Sequence, residues 1–413
     1  MKGIVSNPNI APHVKESVLA YQENHLLANF YTTFIEHSKY PLSRVLSFIF
    51  PNLIKEFKRR SFEELSYHLV KTKPCQELLR VAAARKLNPI ITDKIWERNE
   101  LSFDRWVASK LKEDLSFVHV TEHAALATIK KAKNINIKIF YEQPSIHHQE
   151  FTKIINNQLI KYPAFDTEAI KLLNNSDSFR RNQRRDEELS LADFIICNST
   201  FTKNSLINAG IKETNILTIP LGFPEVKIKT IKPKKVDQLI FISAGNLSLG
   251  KGSHILLQAW QDLSLLPDQA ELWLIGKNNL PAAFMHELPQ NIKFFGNIPR
   301  NELMEMYTKA HILVHPTLAD GFGMVISEAM SCGIPVITTH NSAGPDIIIH
   351  EKSGLLINAD DKLALKNSIL WCLQHKTELI EMGNQALKTA AAYPWAAYRK
   401  NLVSQVQNSL KFF

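Results

Sequence analysis

Two α/β domains, each built on a parallel sheet, are what this sequence predicts. Three observations carry the prediction. The chain has 413 residues, well above the size at which one hydrophobic core stops growing. Its second half alternates short apolar runs with stretches of helical spacing, the pattern of strands buried on both faces. Eleven of its 14 glycines lie after residue 240, and glycine marks tight strand-to-helix turns and close approach of backbone to a ligand. The expected boundaries are 1–223 for the first domain, 224–392 for the second, and 393–413 for a C-terminal helix that crosses back onto the first.

The second half reads in order. Gln238 to Ala244 is a β-rich apolar run closed by Gly245, and Ile255, Leu256, Leu257, Ala259 and Trp260 follow at helical spacing. Glu271 to Gly276 and Ile292 to Gly296 are further strands. Arg300 to Ala310 is a helix with Leu303, Met306, Tyr307 and Ala310 on one face. Ile312 to Pro316 and Pro335 to Thr338 complete the set. In the first half, Lys2–Ser6, Phe117–Val120, Ile137–Glu142, Phe194–Ser199 and Ile216–Pro220 have the strand form, and a long helical insertion is expected over roughly 31–100. Pro224 to Lys235, with five lysines and two prolines, reads as the interdomain linker.

Composition narrows the function. Hydrophobic residues make up 45% and charged residues 22%, as in an ordinary globular protein. No apolar run approaches the roughly 18 residues of a spanning helix, and no leader peptide is expected. Cys75, Cys197, Cys332 and Cys372 stand far apart with no CxxC pair, which suits a reducing, cytoplasmic compartment and argues against a zinc site. The net charge of +9 is uneven: residues 1–236 hold 36 basic against 25 acidic residues. Any anionic surface the protein meets is expected to meet that half. Phe48, Phe50, Leu53 and Ile54 beside Lys55, Lys58, Arg59 and Arg60 suit the headgroup zone of an anionic membrane, so a peripheral position on its inner face is the sharper expectation and a solvated basic surface the plainer one. No nucleic-acid motif accompanies the charge.

The densest chemical signal runs from Pro316 to Ile337. It follows a strand, opens into a helix near Gly323 and returns to a strand. Asp320 lies on the loop before the helix and Glu328 within its second turn. Between them, first-turn N–H groups and the helix dipole favour an anion. Such a site can hold a phosphate between two carboxylates that bind hydroxyls. The competing reading has Asp320 as a helix cap and Glu328 on a solvated face. A second loop, Ala244 to Gly252, combines Gly245, Gly250 and Gly252 with Lys251, a mobile cation for a diphosphate. It is not GxxxxGK[ST], which disfavours a P-loop ATPase.

On these residues the sequence resembles the retaining GT-B glycosyltransferases of family 4, also described as glycosyl transferases group 1. The resemblance rests on Gly245-x5-Lys251-Gly252, Gly276, Phe294 to Ile298, Asp320-x7-Glu328, Cys332 to Ile337 and Gly354 to Ile357. It is specific over 238–358 and weaker before, where Arg184 to Asp193, Ser199 and Ile219 to Gly222 resemble the last helix, strand and hinge of the family's first domain. The fold implied is GT-B: two Rossmann-like domains facing each other across a cleft. The activity implied is transfer of a sugar from a nucleoside-diphosphate sugar to an acceptor hydroxyl with retention, in glycan, lipopolysaccharide or glycolipid biosynthesis.

By the same resemblance, Glu328 would bind the donor ribose and Asp320 the transferred sugar. Backbone of Gly321, Phe322, Gly323, Met324 and Val325 would hold sugar and diphosphate, with Gly245, Asn246, Lys251 and Gly252 around the phosphates and Asn297 and Ile298 at the base. The chain departs from the family in having Asp320 for the usual glutamate and Asn246 for the usual arginine. The family's first-domain histidine is assigned to His147 in preference to His148, with His119 and His123 as competitors. No cofactor beyond the donor is expected. No metal site is expected either, since no DxD triplet is present. A glycan, lipid-linked or protein acceptor and an anionic membrane surface are the candidate partners. The rival readings are a GT-B sugar-nucleotide 2-epimerase and a nucleotide-sugar-binding protein without transfer activity, the latter favoured by Asn246.

Overall fold

The computed structural model describes residues 1–39, 60–173, 175–226 and 237–411. Two sheets organise them. The first has the order β3-β2-β1-β4-β5-β6-β7, from β1 (Gly3–Ser6), β2 (Leu27–Thr32), β3 (Val70–Thr72), β4 (Phe117–Thr121), β5 (Lys138–Gln143), β6 (Phe194–Cys197) and β7 (Ile216–Thr218). The second has the order β10-β9-β8-β11-β12-β13, from β8 (Leu239–Ala244), β9 (Ala270–Ile275), β10 (Ile292–Gly296), β11 (Ile312–His315), β12 (Val336–Thr339) and β13 (Gly354–Ile357). Every neighbouring pair is parallel. Helices cover both faces, which is why central strands are buried along their whole length rather than on alternate residues: all five residues of β4 and all four of β11 are buried.

Two expectations for the first half are corrected. The described residues of 31–100 are not helical throughout: β2 ends at the start of the segment and β3 interrupts it, with Pro74–Lys86 and the start of Pro89–Ala108 as the long helices among them. The helix ending near Asp193 is not the domain's last, because Thr200–Asn208 follows β6 and precedes β7. The apolar-basic patch lies outside the described residues except for Arg60. That guanidinium is not a surface cation: it pairs with buried Glu77 at 2.7 Å and donates to Thr33 and to the Pro8 carbonyl. The linker from 227 to 235 also lies outside the described residues.

The two sheets present their carboxyl ends to one another. In the second, the strand order reverses between β8 and β11, so the loops following these neighbours, 245–252 and 316–323, flank the position where open parallel sheets bind ligands. The helix Trp395–Lys411 lies against Pro12–Glu23 of the first domain. Tyr398 and Ser17 hydroxyls meet at 2.8 Å in the buried seam, and Arg399 pairs with Glu16 and Glu23 at its edge. Phe223 N–H donates to the Tyr393 carbonyl at 2.7 Å, so both passages of the chain between domains run side by side. Among the described residues, no helix is long and apolar enough to cross a membrane.

Candidate active site

The loop after β8 and the loop after β11 are fastened to each other by backbone. The Gly250 carbonyl accepts from Leu318 N–H at 2.9 Å and from the Thr317 hydroxyl at 3.1 Å. This brings Lys251 against Asp320, where the ammonium and carboxylate form an ion pair. His315, buried at the end of β11, reaches the same carboxylate oxygen through Nε2 at 3.1 Å. Burial disfavours charge on Asp320, but Lys251 and the His315 hydrogen bond outweigh it and hold the carboxyl well below the usual range. Burial also lowers the His315 pKa, against the pull of Asp320. His315 was not foreseen, because a histidine closing an apolar strand carries no local signal.

Past Asp320 the chain turns sharply. Gly323 caps the helix Met324–Ser331 at φ +83°, a left-handed conformation that favours glycine. Met324 and Val325 N–H groups find no acceptor among the described residues, leaving the anion-binding end of the helix unsatisfied. Gly321 sits directly under the first domain: a Cβ there would come within 1.8 Å of the Pro144 carbonyl oxygen. Its own carbonyl accepts from the hydroxyls of Ser199 and Thr202. The loop is therefore clamped between the ends of β5 and β6.

A cavity of about 760 Å³ opens beside this clamp, lined on one side by Lys251, Asp320 and Gly321 and on the other by His123, Ser145 and His148. Of the two candidate histidines, the one that lines it is His148. His147 is 3% exposed and serves the helix His148–Lys161: Nδ1 accepts from Gln149 N–H, and its own N–H donates to Ser205. Both imidazoles direct Nε2 at Asp186 Oδ1, His147 at 3.2 Å and His148 at 2.6 Å. Burial, then the neighbouring ring, lowers His147 to about 4, and burial lowers His148. The three side chains have donor atoms within 4.8 Å of one another, a metal-sized cluster. The fit is poor, since a histidine ligating through Nε2 carries its proton on Nδ1, where His147 already faces the Gln149 N–H. His119 is a core residue, bonded to Tyr21 at 3.0 Å, and His123 lines the cavity at φ +76°.

Not all the sequence-derived residues meet. Glu328 is 8% exposed and faces Arg300, whose guanidinium lies at 3.0 Å, rather than the cavity; burial raises its pKa against the pull of Arg300. Gly245, Asn246 and Asn297 are exposed, and Ile298 is half-buried against the core. Backbone links these outer loops: Gly245 N–H donates to Ile275 and Gly276 N–H to Gly296 at 2.8 Å. On the first-domain side, the cavity exposes Glu100, Arg181 and Arg185, none of which sequence spacing could nominate.

Residues 225–389 match the family described as "Glycosyl transferases group 1". The D-inositol 3-phosphate glycosyltransferase of Corynebacterium urealyticum is 30% identical over 171 residues, 38% of this chain and 40% of that protein. The O-antigen chain mannosyltransferase B of Escherichia coli is 30% identical over 120 residues, 29% of this chain and 30% of that protein. The chain thus matches well under half the length of these curated relatives. Solved structures align over nearly all of it. The Anabaena protein HepE in complex with UDP superposes with a TM-score of 0.64 at 15% identity, over 99% of this chain and 100% of that one. A sucrose-phosphate synthase from Thermosynechococcus elongatus gives 0.63 at 17% identity, over 100% of both. With the two facing parallel sheets, these likenesses establish the GT-B fold, and residues 225–389 match the pattern of the glycosyl transferases group 1.

Proposed function

We propose that this protein is a glycosyltransferase that carries a sugar from a nucleoside-diphosphate sugar to an acceptor hydroxyl, retaining the anomeric configuration and using no metal ion. The observation that supports it best is the Lys251–Asp320 pair at the cavity, beside the unsatisfied N-terminus of the helix Met324–Ser331. An arriving diphosphate competes with Asp320 for Lys251 and takes up the free amides of Met324 and Val325. Asp320, released, accepts hydrogen bonds from the sugar hydroxyls. Lys251 and the helix end then meet the charge that builds on the leaving phosphate. Retention follows from front-face attack, in which the departing phosphate takes the acceptor proton. A metal-free route suits a sequence with no DxD triplet. Glu328 serves the ribose once Arg300 yields its place.

Product analysis tests the reading. UDP and UDP-glucose, the ligands held by the similarly folded HepE, are the first probes. Transfer releases nucleoside diphosphate only with an acceptor, epimerisation yields a new sugar nucleotide, and a binding protein yields neither. We also propose a peripheral position on an anionic membrane, which the exposed Leu79, Leu87, Ile90 and Ile91 of the basic first domain support.

A further inference from the structure

The cavity extends from the Lys251–Asp320 pair into the first domain, and its far walls differ in kind. One is apolar: Phe151, Ile155, Phe165, Ile170 and Leu173. The other comes from the facing helices Pro89–Ala108 and Ser176–Leu191, which present Asp93, Glu97, Glu100, Arg181 and Arg185. Its cations are already matched. Arg181 pairs with Asp93 at 2.6 Å, Arg185 with Glu122 at 2.6 Å, and Arg184, behind the wall, with Glu97 at 3.2 Å. The acid without a matching cation is Glu100, which is 9% exposed and makes no hydrogen bond to a described residue. Buried Arg185 Nε likewise lacks an acceptor.

We infer that this part of the cavity is the acceptor subsite, and that it selects a neutral or cationic hydroxyl compound with an apolar body over a phosphorylated or carboxylated one. The inference rests on the glycosyltransferase reading above. A phosphate entering here would leave water for a wall whose two lining arginines, Arg181 and Arg185, are each already paired with a carboxylate. A neutral hydroxyl instead finds a partner in Glu100. Burial pushes the Glu100 carboxyl up to about 8 against the pull of Arg184, so at neutral pH it is a protonated group that both donates and accepts. An amine would ionise it and pair with it. The apolar wall takes the rest of the molecule, and half-exposed Trp96 offers a flat face at the mouth.

The test titrates the full chain, saturated with UDP, with 4-nitrophenyl β-D-glucopyranoside and with D-glucose 6-phosphate by calorimetry. The glycoside is expected to bind at least tenfold more tightly. Glu100→Gln, which keeps a neutral donor and acceptor, should stay within threefold of the parent, and Glu100→Leu should lose at least fivefold. Equal or tighter binding of glucose 6-phosphate, no binding of either probe to the UDP-loaded chain, or an unchanged Glu100→Leu would overturn the inference. The melting shift with UDP and other nucleoside diphosphates is read on the same samples. Failure of the glycosyltransferase reading shows there, as no shift with any of them, and is distinct from a reversed ranking of the two probes.

Discussion

Replacing Asp320 by asparagine keeps the side-chain shape and removes the charge that holds Lys251. The pair is partly screened, with side chains 35% and 18% exposed, so its net worth is about 1–2 kcal/mol rather than the larger gross Coulomb attraction. In the free protein that energy opposes any diphosphate that needs Lys251. Asp320→Asn should therefore tighten UDP by about 5–30-fold, the factor equivalent to 1–2 kcal/mol. His315 can still donate to the new amide oxygen, so the loop should keep its shape. Turnover should fall by about a hundredfold or more, because the sugar hydroxyls lose a charged acceptor in the transition state. Lys251→Ala should weaken both UDP binding and turnover. Calorimetry with UDP and a coupled assay of nucleotide release separate the two effects. If Asp320→Asn abolished UDP binding in a folded protein, the competition between carboxylate and phosphate for Lys251 would be wrong.

Three further outcomes are expected. Glu328→Gln should raise the Kd of the nucleoside diphosphate about tenfold, about 1.4 kcal/mol, while inorganic pyrophosphate binds unchanged; equal losses for both would remove Glu328 from the ribose. His254, buried between the domains and bonded to Gln158 at 3.1 Å, is lowered by burial to about 4. The unfolded chain thus takes up its proton first, near 6.5, and stability should decline by about 3 kcal/mol as pH falls from 6.5 to 4. Denaturant titrations at pH 7 and 4.5 measure the slope; His123 and His147 share it, so His254→Gln should remove only part. Reversal of Lys55, Lys58 and Arg59 to glutamate should reduce co-sedimentation with anionic vesicles; Arg60 is left alone because it holds Glu77. Equal sedimentation with neutral vesicles would argue for a soluble acceptor.

What could be read in advance divides along a physical line. The apolar runs of the second half announce buried parallel strands because both sheet faces are covered, and the loops around Lys251 and Asp320 announce themselves because glycines and charges cluster there over a few residues. β2 and β3 carry little signal in the sequence: β3 is three residues long, and only its first is buried. The choice between His147 and His148 turned on where a helix begins, which single-residue spacing does not fix. The far wall of the cavity was illegible for another reason. Glu122 and Arg185 stand 63 residues apart in the chain, and each alone resembles an ordinary surface charge. Only folding makes them a neutralised pair and leaves Glu100 with no such partner.

The seam between Trp395–Lys411 and Pro12–Glu23 has a consequence for how the chain is made. The first domain leaves the ribosome before the second, yet one flank of its helix Pro12–Glu23 is covered by a segment synthesised after the second domain. Buried Val14, Val18 and Tyr21 belong to that helix, and Leu402, Val403 and Val406 to the covering one. Until the latter emerges, the nascent domain carries an uncovered apolar strip, the kind of surface that holds a folding intermediate open to chaperones and aggregation. Completion of the first domain must therefore wait for the second, so that vectorial synthesis yields both halves of the cleft at nearly the same moment.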